Sequence, residues 1–149
     1  VSTGFGSMGH AATGVVGAAL ARGDKAVALL GDGAMLMQSE VHSAVQYGAK
    51  AVWVILNDAC YLMCEQGMKV LGWKPFGTRM NRVDFVALAR ALGADGERVT
   101  RERDMEGALR RAMASERPFV LDIHTDPREM APSGKRHKNL MQQGHDAKS

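Results

Sequence analysis

A chain of 149 residues, 46% hydrophobic and 23% charged, has the size and balance of one folded domain, able to bury about two-thirds of the surface that its unfolded form exposes. Disordered, collagen-like and low-complexity arrays are excluded by the same balance. The longest apolar stretch, Ala51 to Leu56, falls far short of the roughly 20 residues that a membrane helix needs, so neither a transmembrane span nor a membrane partner is expected. The net charge is +3, and it sits at one end: residues 1–133 carry 15 basic and 15 acidic side chains, whereas 134–149 add four basic and one acidic. The chain therefore reads as a neutral domain over 1–133 and a basic C-terminal tail over 134–149. With no aromatic residue in that tail and no basic stripe along a helix, nucleic acid is not an expected partner. The two cysteines, Cys60 and Cys64, are spaced i, i+4, which fits neither a disulfide framework nor a CxxC metal or redox site. That usage favours a reducing, cytoplasmic compartment. The sequence opens at Val1 without a basic segment followed by an apolar one, so no secretion leader is expected in it.

In chain order, a glycine-rich opening leads into His10 to Ala21, where Ala, Gly and Val predict a helix able to pack closely on a sheet. A turn at Gly23-Asp24 follows. Ala26 to Leu30 is a short, continuous apolar run, Gln38 to Tyr47 carries helical spacing through Val41, Ala44 and Val45, and Ala51 to Leu56 repeats the strand signal. Both runs are apolar at every position, the pattern of parallel strands buried between helix layers, so the three segments predict a βαβ unit. Cys60 to Asn81 has no clear period and reads as a long functional loop with some local helix. Arg82 to Leu92 and Asp104 to Ser115 predict two further helices, and Phe119 to His124 predicts a last strand. The fold class is α/β, an open and mostly parallel sheet with helices on both faces.

Ligands of such sheets bind outside the carboxyl ends of the strands, which directs attention to Gly31-Asp32-Gly33 and Asn57-Asp58. Gly33 permits close backbone approach, and the helix after it would turn amides toward an anion. The βαβ geometry brings Asp32 and Asp58 to one rim, and two carboxylates from neighbouring strand ends suit Mg²⁺, which completes its shell with waters and phosphates. The alternative is that Asp32 caps a turn and Asn57-Asp58 merely ends a strand. Gly4, Gly6 and Gly9 also form a GxGxxG opening a helix, as in dinucleotide-binding folds, but no strand precedes it in the sequence and the expected ribose-contact pattern is missing. His10 reads either as a helix-capping residue or as a catalytic group facing a reacting carbon. Glu65 and Gln66 fall in the loop after the second motif, where specificity would reside. Met35, Met37, Met63 and Met68 would form an adaptable apolar lining.

GDG at residues 31–33 followed by Asn57-Asp58 resembles the thiamine-diphosphate motif, GDG with NN some two dozen residues later. The surrounding sequence is similar to the diphosphate-binding domain of that superfamily. Gly6-Ser7-Met8-Gly9-His10-Ala11 and Gly31-Asp32-Gly33-Ala34-Met35-Leu36-Met37 resemble phosphonopyruvate and sulfopyruvate decarboxylases. Asp84-Phe85-Val86-Ala87-Leu88-Ala89 and Phe119-Val120-Leu121-Asp122 through Asp126-Pro127 are more similar to acetolactate synthases.

The resemblance implies thiamine diphosphate and Mg²⁺ as cofactors, with Asp32, Asp58 and the carbonyl of Cys60 as metal ligands. Gly33 and Ala34 would offer amides to the diphosphate, Met8 would prop the cofactor into its bent shape, and the carbonyl of Gly6 would meet the aminopyrimidine. Ser7, Gly31, Met35, Tyr61 and Leu62 complete the implied cofactor-binding set, and His10 is the implied catalytic residue. The implied activity is decarboxylation or carboligation of a 2-oxo acid. Asp58 stands where the family has a second Asn, which keeps the oxygen but adds a charge opposite the diphosphate. No segment resembles the pyrimidine-binding domain that supplies the activating glutamate, so that domain is an expected partner, within a homo- or hetero-oligomer. A noncatalytic assembly or regulatory subunit retaining the fold is the alternative.

Overall fold

A computed structural model describes residues 6–37 and 40–129. Four strands, β1 (Ala26–Gly31), β2 (Ala51–Asn57), β3 (Asp95–Val99) and β4 (Phe119–His124), form one parallel sheet in the order β1-β2-β4-β3. The helices are α1 (His10–Arg22), the single turn α2 (Asp32–Met35), α3 (Glu40–Gln46), α4 (Leu62–Val70), α5 (Phe85–Ala91) and α6 (Met105–Ala114). Successive β2 side chains point to opposite faces. Trp53 and Ile55 join a core built with α1, α3 and α5, while Val52 and Val54 join a second core under Ala108 and Ala112 of α6. The α/β fold with helices on both faces is thus as expected. Among the described residues, no helix is long and apolar enough to cross a membrane.

Trp53 fixes the first layer. Its ring is fully buried, and the indole N–H donates to the carbonyl of Ala12 at 2.8 Å, tying β2 to α1. A buried indole needs such a partner, because an unmet donor in a core costs about 1–3 kcal/mol.

Four expectations are corrected. The first concerns β1, which lies at the edge of the sheet. Val27 and Leu29 are 50% and 65% exposed, because α6 packs chiefly over β3 and β4 and leaves the edge strand β1 uncovered among the described residues. The apolar run predicted a strand correctly and its two-sided burial wrongly. The second is β3, which the sequence did not announce. Asp-Gly-Glu-Arg-Val carries too few apolar residues to register as a strand, and its Gly96 is needed for close packing, since a Cβ there would stand 3.1 Å from the carbonyl oxygen of Val120 and 3.5 Å from Val86. The third concerns the loop with some local helix expected from Cys60 to Asn81: the local helix is there and is more extensive than read, α4 taking nine residues. The fourth is the helix expected to start at Arg82: it starts at Phe85, where Asp84 caps it by accepting from the amide of Ala87 at 2.9 Å. Residues 38 and 39 of the predicted third helix, and the tail over 134–149 with the boundary at 133, lie outside the described residues.

Trp53→Phe removes the indole donor while keeping an aromatic ring. It is expected to lower the unfolding free energy by about 1–2 kcal/mol, read from the shift in urea denaturation midpoint.

Candidate functional site

The carboxyl ends of β1 and β2 lie side by side, Gly31 opposite Leu56. Asp32 follows at once and is only 3% exposed. Its Oδ1 accepts from the amide of Gly33 at 2.7 Å, and its Oδ2 accepts from the amide of Ala59, also at 2.7 Å, on the loop beyond β2. Asp58 stands beside that amide and accepts from the amide of Cys60 at 2.9 Å. Burial and the neighbouring Asp32 charge push the Asp58 carboxyl above its ordinary value, while the backbone amide of Cys60 and the guanidinium groups of Arg79 and Arg82 oppose that shift. The two predicted metal-ligating acids therefore stand near enough at the strand ends for their charges to repel. Ala59 holds a left-handed backbone, φ 58°, rare for a residue with a Cβ and costing about 1–3 kcal/mol. Its amide is on Asp32, and its carbonyl accepts from Met80 at 3.0 Å.

Gly33 faces Tyr61 so closely that a Cβ would stand 2.5 Å from the ring and 3.1 Å from the methyl of Met8. Three predicted cofactor-binding residues from separate segments thus meet at one point. Gly6, Ser7 and His10 line a groove of about 770 Å³ between α1 and the outer edge of β1. Gly31 ends β1, Ala34 packs its methyl on the core, and Leu62 opens α4. His10 is the exposed first residue of α1.

Three expectations are corrected here. The Gly33 amide donates to Asp32 in this structure and is not directed outward. Met35 is 2% exposed and belongs to the core, so its side chain supports the loop from beneath and does not line a pocket, whereas Met37 and Met63 are exposed. The helix after Gly31 is a single turn, and the long predicted helix begins after it.

Asn57, read together with Asp58 as a strand-end pair, turns inward. Its amide donates to Asp122 at 2.8 Å and to the carbonyl of Val83 at 3.1 Å, and its Oδ1 accepts from Arg82 at 3.2 Å. Asp122, fully buried on β4, also accepts from Arg98 at 3.2 Å. Asn57 is thereby the anchor that fixes where β2 ends, and Asp58 is the group left at the site.

The sequence named Glu65 without a partner, and the structure gives it four. On the first turn of α4 and 2% exposed, it accepts at Oε1 from Lys69 at 2.7 Å and Arg79 at 2.8 Å. At Oε2 it accepts from Thr78 at 3.1 Å and the thiol of Cys60 at 3.3 Å. Lys69 first, then Cys60, Arg79 and Thr78, hold the carboxyl down to about 2 against the effect of burial. Burial and the bond to Glu65 push the Cys60 thiol up to about 11. The i, i+4 spacing of Glu65 and Lys69 was visible in the sequence, but Thr78, Arg79 and the strained Ala59 carried no signal there.

The fold and this pocket define an open parallel α/β domain of the kind whose ligands bind outside the carboxyl edge of the sheet. Residues 1–123 match the thiamine pyrophosphate enzyme family at its C-terminal TPP binding domain, and the chain belongs to that family. It is 36% identical over 126 residues, 83% of this chain and 23% of the relative, to a Mycobacterium tuberculosis protein carrying the name acetolactate synthase large subunit IlvB2. It is 32% identical over 124 residues, 80% of this chain and 23% of the relative, to a benzoylformate decarboxylase of Pseudomonas aeruginosa. A solved structure of a thiamine diphosphate-dependent 4-hydroxybenzoylformate decarboxylase from Rhodococcus jostii RHA1 superposes with a TM-score of 0.68 at 30% identity, over 75% of this chain and 22% of that one. The chain spans less than a quarter of the length of each of these proteins.

A thiol-labelling reagent at neutral pH is expected to modify exposed Cys64 in the folded protein and to spare Cys60 until unfolding, as mass spectrometry of the labelled peptides will show. Acid stability follows from Glu65. Because its folded pKa lies near 2 and its ordinary value is 4.5, its contribution is complete above the ordinary value and is lost as pH falls through that window. Melting curves from pH 6 to pH 2.5 should therefore fall more steeply for the wild type than for Glu65→Gln, all other groups being shared.

Proposed function

We propose that this chain is the diphosphate- and Mg²⁺-binding part of a thiamine-diphosphate enzyme that breaks or forms a carbon–carbon bond beside the carbonyl of a 2-oxo acid. The observation that carries the reading is the bond from Ala59 to Asp32, which joins the two motif segments into one pocket with Asp58 beside it. Two carboxylates with a backbone carbonyl suit Mg²⁺, which takes one or two acids and leaves its other positions to water and phosphate. Gly33 lies against Tyr61 and Met8 where a Cβ would clash, so three residues implied for the cofactor are packed together. The chemistry of the donor set fits the metal.

Asp32, Asp58 and the carbonyl of Cys60 would hold the metal. Gly31 and Ala34 would carry the diphosphate, Gly33 would leave room for Tyr61 against the loop, and Gly6, Ser7, Met8, Tyr61 and Leu62 would wall the cofactor. Met35 would brace the loop from the core. When bound, the cofactor supplies the electron sink that lets a carboxylate leave as CO₂. His10, at the mouth of the α1–β1 groove, would meet the substrate and move a proton there.

The glutamate that activates the aminopyrimidine would come from a pyrimidine-binding domain or subunit within a homo- or hetero-oligomer. The exposed side chains of Met8, Met37 and Met63 around the site support an interface there, since apolar patches on folded domains mark contact surfaces. Val15 and Met35 do not belong to that face, for both are buried in the core. Two free thiols support a reducing cytoplasmic setting. Asp58 in place of Asn favours a second reading, a subunit that keeps the fold for assembly.

Calorimetric titration of the assembled protein with thiamine diphosphate and Mg²⁺ tests these readings. Uptake should vanish in excess chelator and in Asp32→Ala, and should persist or tighten in Asp58→Asn, which keeps the oxygen and removes the repulsion. CO₂ release from a 2-oxo acid should require the pyrimidine-binding component and disappear when its glutamate becomes Gln, a loss of about 10²- to 10⁴-fold. Uptake unaffected by chelator counts against the metal assignment, and an absence of any uptake favours the assembly subunit.

A further inference from the structure

The segment carrying the metal-site loop is held from behind by a second strand-like segment. Cys60 bridges Arg79 in antiparallel fashion, Tyr61 donates its amide to the carbonyl of Thr78 at 2.8 Å, and Met80 donates to Ala59 at 3.0 Å. Side chains join the same two segments at their centre. The lock is the carboxylate of Glu65, which lies between them and accepts from Cys60 on one side and from Thr78 and Arg79 on the other.

Lys69 and Arg79 are more than half exposed, yet Glu65 is buried beneath them. A surface ion pair would not require that burial. A carboxylate with two donors on each oxygen cannot rotate without breaking a bond, so its position is overdetermined.

We propose that Glu65 is a positioning residue for the metal and diphosphate site. It grips Cys60 and so fixes the residues on either side. Ala59 is kept in its left-handed conformation with its amide on Asp32, the amide of Cys60 is kept on Asp58, and the Cys60 carbonyl, which would face the metal, is fixed with them. This rests on the cofactor reading above and assigns a residue outside the implied ligand set. Glu65 touches neither metal nor cofactor. It acts through the loop, as outer partners of metal ligands do elsewhere, where their loss costs about 10- to 100-fold in metal affinity.

Isosteric replacement separates this role from packing. Glu65→Gln fills the same space but presents one acceptor and one donor to a set of four donors, so the grip fails while the volume is kept. Thr78→Val removes a single bond to the carboxylate with little change of shape, and it carries the test should the Gln variant not fold.

The experiment uses the assembled protein with thiamine diphosphate and Mn²⁺ as the probe, free Mn²⁺ being counted by electron paramagnetic resonance well below the melting temperature of each variant. Glu65→Gln is expected to weaken Mn²⁺ binding about 10-fold or more, and Thr78→Val by a smaller factor, each with an altered spectrum of the bound ion. A role confined to stability would lower the melting temperature and leave both affinity and spectrum of the folded protein unchanged. Folded variants that bind Mn²⁺ within about twofold of wild type, with its spectrum, would overturn the proposal. Wild-type protein that takes up no Mn²⁺ with thiamine diphosphate overturns the cofactor reading itself, whereas wild-type uptake with indifferent variants removes Glu65 alone.

Discussion

A parallel sheet leaves its strand ends with amides that no neighbouring strand can meet, and at the ends of β1 and β2 the carboxylate of Asp32 meets two of them. One oxygen takes the amide of Gly33 on its own turn, and the other takes the amide of Ala59 on the loop after the next strand. Because each bond is to a charged acceptor inside the protein, it is short and directional. The loop beyond β2 has its path set by this contact: Ala59 must turn into a left-handed conformation to reach Asp32, and Asp58 is thereby delivered beside it. The pocket follows from that one bridge.

A second buried carboxylate completes the arrangement from the other side. Asp32 is satisfied by main-chain amides, Glu65 by four side chains, and between them runs the short stretch from Asp58 to Tyr61. Asp58 differs from both. Its charge is disfavoured by burial and by Asp32, and one main-chain amide, that of Cys60, meets it.

The sheet itself is asymmetric. β2 and β4 are covered on both faces, whereas β1 leaves Val27 and Leu29 exposed. An apolar strand face of this size is costly in water unless another surface covers it.

Period and punctuation in the sequence determined most of the fold. Two apolar runs separated by a helical pattern define the βαβ unit, glycine and aspartate at the first strand end mark the ligand edge, and these features are local, so they are written in consecutive residues. The burial of Val27 and Leu29 could not be read in the same way, because exposure depends on where a strand stands in the sheet and on which helices reach it. Strand β3 escaped because its five residues rely on neighbours, with Gly96 against Val86 and Arg98 against Asp122, in place of its own hydrophobicity. Asp32 and Asp58 were legible as strand-end acids, yet Ala59, Thr78 and Arg79 were not: a left-handed alanine and the partners of a buried glutamate are decided by contacts 13 to 27 positions away along the chain. The sequence by itself determined which residues carry charge and where the strands end. Only the tertiary structure decided how each of those charges is met, Asp32 by two main-chain amides, Glu65 by four side chains and Asp58 by the amide of Cys60, because that depends on the donors that folding brings within reach of each carboxylate.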